Sequence, residues 1–102
     1  MMTLFFDRTN PNWINDPDGN EYLIRVEEQY LNDLFRANGY IYVSTVYKTL
    51  GFEFNPYDPD KMYKKDDCER IELQQTRVEI KDETDEYNHA VIIKINFKRK
   101  ES

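Results

Sequence analysis

Two side chains of this sequence have the chemistry of a nucleophile and a base: Cys68 and His89, each the single residue of its type. Catalysis by a cysteine requires the thiolate, which a neighbouring imidazole can generate. Cys68 stands beside Asp66, Asp67 and Glu69, whose negative charges raise the pKa of a thiol. The sequence therefore predicts an unreactive thiol, and it leaves open whether the fold brings Cys68 and His89 together.

Carboxylates are the other candidates for chemistry, since calcium prefers oxygen ligands. The segment 15–21, Asn-Asp-Pro-Asp-Gly-Asn-Glu, has the composition of a calcium-binding loop. Its glycine stands at the wrong step of the Asp-x-Asp-x-Asn-Gly pattern, and a turn leading into a helix explains the same residues. One cysteine and one histidine are too few for a zinc site, and no glycine-rich phosphate loop occurs. We predict no metal, no cofactor and no catalytic residues, and hence no enzyme.

Two segments are candidates for binding rather than for catalysis. The acidic stretch 82–86 is either a solvated connection or a phosphate mimic that binds a basic partner. The segment 52–67 combines Pro56 and Pro59, which exclude regular structure, with many aromatic side chains, and it predicts a long loop that contacts a partner. The predicted protein-binding residues are Phe54, Tyr57, Tyr63, Asp82, Glu83, Asp85 and Glu86.

Two helices are expected before this loop. The first spans 20–38, with Asp18 and Glu21 spaced as a capping box and Gly39 as the stop. Its apolar stripe consists of Leu23, Val26, Tyr30 and Leu34, with Tyr22, Leu31 and Phe35 beside them. A short apolar segment, 40–43, precedes a second helix, which Ser44 caps and Gly51 ends.

Helix, glycine turn and second helix have the outline of a helix-turn-helix, so DNA binding needs consideration. A recognition helix presents several basic or amide side chains, whereas the second helix offers only Lys48 among them. Neither half of the chain is basic, and the net charge is −6. We therefore predict no direct contact with nucleic acid.

The region 68–100 is predicted to form strands. Ile71 and Leu73 share one face, whereas Val78 and Ile80 share the opposite one, and a bulge or turn near 74–76 would bring them into phase. In the last strand, from His89 to Phe97, apolar residues alternate with partly cationic ones.

These elements predict one domain, 1–102, of the α+β class: two helices packed on a small antiparallel sheet of three to four strands. Its parts are an N-terminal strand and loop (1–19), a helical pair (20–51), the Pro/Tyr-rich loop (52–67) and a β-hairpin region (68–100). In the N-terminal loop we expect Trp13 and Ile14 to dock on the core, the alternative being that they contact a partner. The predicted core comprises Leu23, Val26, Tyr30, Leu34, Val46, Leu50, Val91, Ile93 and Ile95.

The bulk properties indicate a cellular compartment. The apolar runs are too short for a membrane span, the N-terminus lacks the pattern of a signal peptide, and a single cysteine suits a reducing environment. We expect a location in the cytoplasm of the cell that makes the protein and no contact with membranes.

The stretch 22–51 carries three linked motifs: Glu28-x-x-Leu31-Asn32-x-Leu34-Phe35, then Gly39-Tyr40-Ile41-Tyr42-Val43, then Val46-Tyr47-x-x-Leu50-Gly51. Together with the strand 91–97, they resemble a family of small uncharacterised proteins encoded by phages and mobile elements of Gram-positive bacteria. The middle of the chain, 53–80, departs from that family, whose Gly-rich, Trp-containing loop is replaced here. The matching residues are mostly of core and cap type, so the resemblance implies a shared fold and a mobile-element origin, and no activity. It also implies that the cytoplasm in which we expect the protein is that of a host bacterial cell.

The sequence thus predicts a non-enzymatic phage or mobile-element accessory protein that acts by binding a protein, either a phage protein or a host nucleic-acid-binding protein. The alternative is an acidic inhibitor of a host defence nuclease, similar in principle to an anti-CRISPR protein, in which 82–86 mimics nucleic acid.

Overall fold

A computed structural model describes residues 2–81 and 87–100. Two helices pack with a three-stranded and a two-stranded antiparallel sheet, which confirms the predicted α+β class. In chain order the elements are β1 (Met2–Phe6), α1 (Pro17–Asn38), β2 (Tyr40–Tyr42), α2 (Val43–Thr49), β3 (Met62–Lys64), β4 (Cys68–Lys81) and β5 (Tyr87–Arg99).

The larger sheet has the order β1-β5-β4, so that β5 is the central strand. Along β5 the side chains alternate between the two faces of the sheet, and Val91, Ile93 and Ile95 are fully buried against the core, as predicted. β1 pairs with this apolar part of β5, from Met2 opposite Ile95 to Phe6 opposite Val91. The smaller sheet pairs β2 with β3, which lies inside the segment 52–67 that was predicted to be entirely loop.

The predicted bulge near 74–76 is wrong. β4 pairs with β5 without a register shift from Arg70 onward. The side of β4 that contacts α1 changes from apolar to polar at this point, because the first turns of α1 supply hydrogen-bond partners there. The Gln75 amide donates to the Glu21 carbonyl over 3.2 Å, and the guanidinium of Arg77 lies 3.0 Å from the Glu21 carboxylate.

The predicted core face of α1 is also wrong, because the buried apolar residues lie one position later in the chain than the predicted ones. Ile24, Leu31 and Phe35 are the buried apolar residues of the helix, whereas Val26 and Tyr30 are 46% and 55% exposed. One residue corresponds to about 100° of rotation around a helix axis. Leu23 and Leu34 lie at the boundary and pack against the core while remaining partly exposed.

Hydrogen bonds to β4 account for this rotation of α1. The Asn32 side chain accepts from the Ile71 backbone N–H and donates to the Ile71 carbonyl, both over 2.9 Å. The Glu28 carboxylate accepts from the Leu73 backbone N–H over 2.6 Å. Because β4 is an edge strand, these bonds satisfy backbone groups that no neighbouring strand pairs. Asn32 and Glu28 must therefore face the strand, which turns Tyr30 away from the core.

Both predicted helix caps need correction. α1 begins at Pro17, and the carboxylates of Asp18 and Glu21 bind Arg77 of β4 instead of forming a capping box. α2 begins at Val43, so Ser44 lies within its first turn and is not the cap.

A residue far along the chain caps α2 instead. The Asp60 carboxylate accepts hydrogen bonds from the Ser44 backbone N–H, over 2.9 Å, and from the Ser44 hydroxyl.

The predicted glycine stop of α1 is confirmed: Gly39 has a φ of 80°, and its N–H donates to the Phe35 carbonyl over 2.8 Å.

Candidate functional site

The structure separates Cys68 from His89. Cys68 pairs with Arg99 and His89 pairs with Glu79, so the two side chains lie near opposite ends of the β4–β5 hairpin. Ten residues of a strand correspond to about 33 Å, which excludes a catalytic pair. The thiol of Cys68 is buried, and its pKa is raised by that burial and by the charge of Asp67. These findings agree with an unreactive thiol.

His89 has a structural role in holding the N-terminal loop. Its ring packs 4.3 Å from that of Trp13, which also contacts Phe6 and so docks on the core as predicted. The same prediction is wrong for Ile14, whose side chain is 46% exposed. The amide nitrogen of Asn20 lies 3.1 Å from Nε2 of His89, and Nε2 accepts a hydrogen bond from this amide when the imidazole is neutral and carries its proton on Nδ1. Burial and the charge of Arg77 lower the pKa of His89, which favours that neutral form.

The calcium-like segment 15–21 forms the start of α1. Asp18 binds Arg77 over 2.9 Å, while the Asn20 side chain is fully buried and bonds both backbone groups of Ile14. Within residues 2–81 and 87–100, no three His, Cys, Asp or Glu side chains converge where they could hold a metal ion.

The predicted aromatic contacts do not form one surface. Phe54 packs edge-on against Tyr47, with ring centroids 5.4 Å apart, and Tyr63 stacks on Phe97 at 3.8 Å. Both rings are partly buried against the core and anchor their segments. Tyr57 alone of the three is almost fully exposed, at 94%. The four predicted acidic contacts, Asp82, Glu83, Asp85 and Glu86, lie outside the described residues.

Among the acids that the structure describes, Glu27 of α1 has the most strongly shifted pKa. Burial raises the pKa of its carboxyl from an ordinary value of 4.5 to about 7, and a hydrogen bond from Asn12 opposes this rise. One carboxylate oxygen accepts from the Asn12 amide over 3.3 Å, whereas the other is buried without a partner. No other acid lies in hydrogen-bonding contact with Glu27 within the described chain, so the arrangement is that of a loop anchor.

A cavity of about 440 Å³ lies between α1 and β4. Three of its polar side chains have partners within the protein: Asn32 and Glu28 bond the edge of β4, and Arg70 binds Glu72 over 2.8 Å. Asn32 and Glu28 thus serve to cover the edge strand.

An exposed row of apolar side chains follows the outer surface of α1. Tyr22, Val26 and Tyr30 occupy successive i, i+4 positions, so they are neighbours along the helix, and each is at least 46% exposed. We call these three residues the α1 ridge. Leu23 and Leu34, which are partly buried, continue the apolar surface toward the core. The periodicity of this surface was visible in the sequence, but it was assigned to the interior.

A second exposed apolar group lies on the two-stranded sheet. Tyr40 and Tyr42 of β2 point outward with ring centroids 5.9 Å apart, and Met62 of β3 is paired opposite Tyr42. Strand alternation explains the arrangement, since Ile41 between the two tyrosines is buried. Tyr40 follows directly on Gly39, the residue that ends α1.

Comparisons with known proteins add no relative: no family model, curated protein or solved structure matches this chain. No helix of the described residues combines the length and the apolar character needed to cross a bilayer. The candidate site therefore rests on the geometry of the chain itself.

Proposed function

We propose that this chain is a non-enzymatic accessory protein of a phage or mobile element, and that it binds a partner protein through the α1 ridge. The observation that carries the proposal is the exposure of Tyr22, Val26 and Tyr30 on one side of a long helix. Contiguous apolar surface of this kind on a small domain is typical of interaction sites.

The residue types of the ridge also support binding. Tyrosine has a large rigid ring and a hydroxyl that remains hydrated when the partner is absent, and it is enriched in protein interfaces. Spacing at i, i+4 and i+8 is how an amphipathic helix inserts its anchors into an apolar groove. We expect the partner to offer such a groove, with hydrogen-bond acceptors for the two tyrosine hydroxyls.

The expected occupant is a different protein rather than a second copy of this chain. The net charge of −6 opposes self-association, because two copies repel each other before their apolar surfaces meet. A measurement of the mass in solution tests this point, and a dimer that dissociates when the ridge is changed would replace the partner with a second copy.

The test is capture of proteins from lysates of phage-infected and uninfected host cells by tagged variants. In one variant both ridge tyrosines are replaced (Tyr22→Ser and Tyr30→Ser). The matched control is Tyr57→Ser, which makes the same chemical change at the exposed aromatic residue of the predicted contact loop. We expect a protein retained by the wild type and by the control but lost by the ridge variant.

Salt distinguishes the proposal from the acidic inhibitor. Binding through the ridge is expected to persist at high salt, because apolar contacts are weakly screened. An inhibitor that mimics nucleic acid would release its partner as the salt concentration rises, and it would lose binding when Asp82, Glu83, Asp85 and Glu86 become amides. Loss of the partner by Tyr57→Ser and not by the ridge variant would contradict the proposed surface.

A further inference from the structure

Four cations from distant parts of the chain surround one depression at the end of the molecule. Lys61 directly precedes β3 and Lys64 is its last residue, while Arg99 ends β5 and Lys100 follows it. The turn between β3 and β4 brings these segments together, and the Lys100 backbone N–H donates to the Asp67 carbonyl over 3.2 Å. The depression consists of two neighbouring cavities of about 390 and 290 Å³.

The two cavities share three lining residues: Lys61, Tyr63 and Arg99. Tyr63 is held rigidly, since its ring stacks parallel to that of Phe97 at 3.8 Å. The ammonium of Lys61 lies 5.0 Å from the centre of the same ring, which positions this cation beside the depression. With Phe97 stacked on Tyr63 and Lys61 over its ring, a ligand would be recognised through charge and not by stacking on Tyr63.

The charge of this depression differs from that of the chain. Four cations face a single carboxylate, Asp67, although acids outnumber bases overall. Within residues 2–81 and 87–100, none of the four cations takes part in a salt bridge. Their mutual repulsion is therefore not relieved inside the described protein, and an anion in the depression would relieve it.

We propose that this depression binds a small phosphorylated anion with two or more negative charges. Arginine matches the oxygens of a phosphate with its planar fork, and lysines add point charges, so the set suits phosphate better than a single carboxylate. Cavities of a few hundred Å³ hold small ligands. Because Lys61 and Arg99 line both cavities, we expect one diphosphate group to contact both of these side chains. The site is separate from the α1 ridge and goes beyond the proposed binding of a protein.

The test is calorimetric titration of the full chain at low ionic strength with inorganic pyrophosphate and with ATP. We expect both to bind, and we expect the double variant Lys61→Gln/Arg99→Gln to weaken binding at least about tenfold. A second double variant, Lys64→Gln/Lys100→Gln, keeps the test valid if the first does not fold. The matched control is Lys94→Gln, an exposed cation on β5 outside both cavities.

The probes also distinguish the sources of phosphate. Equal binding of pyrophosphate and ATP would mean that the phosphates alone are recognised, whereas much tighter binding of ATP would indicate a nucleotide. Absence of binding by both would overturn the proposal, as would equal weakening by Lys94→Gln, which would indicate unspecific attraction. Binding of a short single-stranded DNA without binding of either small probe would overturn the assignment to a small ligand.

Discussion

α1 has two apolar faces, and the fold covers one of them. Ile24 and Leu31 are fully buried against the sheet, while Val26 and Tyr30 on the α1 ridge remain exposed. The buried apolar residues Ile24, Leu31 and Phe35 have no polar side-chain atoms, whereas two of the three ridge residues are tyrosines that tolerate water. Helical periodicity therefore identifies the apolar faces of a helix, but not which of them the fold buries.

The largest expected effect comes from truncating the buried face. Leu31→Ala removes a fully buried side chain and leaves a cavity, so we expect the free energy of unfolding to fall by about 2–5 kcal/mol. Chemical denaturation followed by circular dichroism measures this loss. A change below about 1 kcal/mol would mean that Leu31 is not a core residue, and the orientation of α1 would be wrong.

The next effect is a pH dependence that arises where Glu27 anchors the N-terminal loop to α1. Since burial raises the pKa of its carboxyl to about 7, the folded state binds a proton more tightly than the unfolded state. Its contribution to stability is complete below pH 4.5 and is lost as the pH rises through 7. Because the carboxyl is partly exposed and solvent screens part of this effect, we expect a loss of up to about 2 kcal/mol across this window, measured by denaturation at several pH values.

Glu27→Gln is the control for this prediction, because the amide cannot ionise and the loss between pH 4.5 and 7 should disappear. His89 acts in the opposite direction: its pKa is lowered, so its contribution is lost as the pH falls below about 6.5. The difference in the free energy of unfolding between wild type and Glu27→Gln, taken at each pH, isolates the contribution of the Glu27 carboxyl. A difference that does not change with pH would show that Glu27 is solvated.

A smaller effect is expected where α1 covers the edge of β4. Asn32→Ala removes two hydrogen bonds to the backbone of Ile71, and we expect a destabilisation of about 1–2 kcal/mol. Gln29→Ala is the matched control, since that amide bonds only the exposed Asp33 and should cost less than about 0.5 kcal/mol. Equal costs for the two variants would remove the explanation given for the rotation of α1.

The smallest effect is expected on the ridge itself. Val26→Ala shortens a side chain that is 46% exposed, and we expect stability to change by less than about 0.5 kcal/mol. The same denaturation measurement gives the answer. A loss as large as that of Leu31→Ala would show that the ridge belongs to the core after all.

Local patterns predicted much of the fold correctly. Alternation along β5 identified Val91, Ile93 and Ile95 as core, and Gly39 marked the end of α1, because both depend on neighbouring residues alone. The face of α1 could not be predicted, since it is set by bonds from Asn32 to a strand about 40 positions later in the chain. The cap of α2 was missed for the same reason, because Asp60 comes from another segment.

Functional surfaces were harder to predict, for two physical reasons. Aromatic residues in a Pro-rich segment indicate either a contact surface or anchors, and packing decides between them: Tyr63 stacks on Phe97, whereas Tyr57 is exposed. The cationic depression was not visible in the charge of either half of the chain, because Lys61 and Arg99 meet only in the folded structure. Charge totals are taken over long stretches of the chain, so they do not reveal a cluster of cations that folding assembles from separate segments.

The most direct test of the central claim is the affinity of the purified chain for the partner it captures, measured for wild type and for the variant Tyr22→Ser/Tyr30→Ser. We predict a loss of at least about tenfold with an unchanged free energy of unfolding, since the ridge contributes to binding and not to the core. Unchanged affinity in a folded variant would contradict the account and place the partner elsewhere on the molecule.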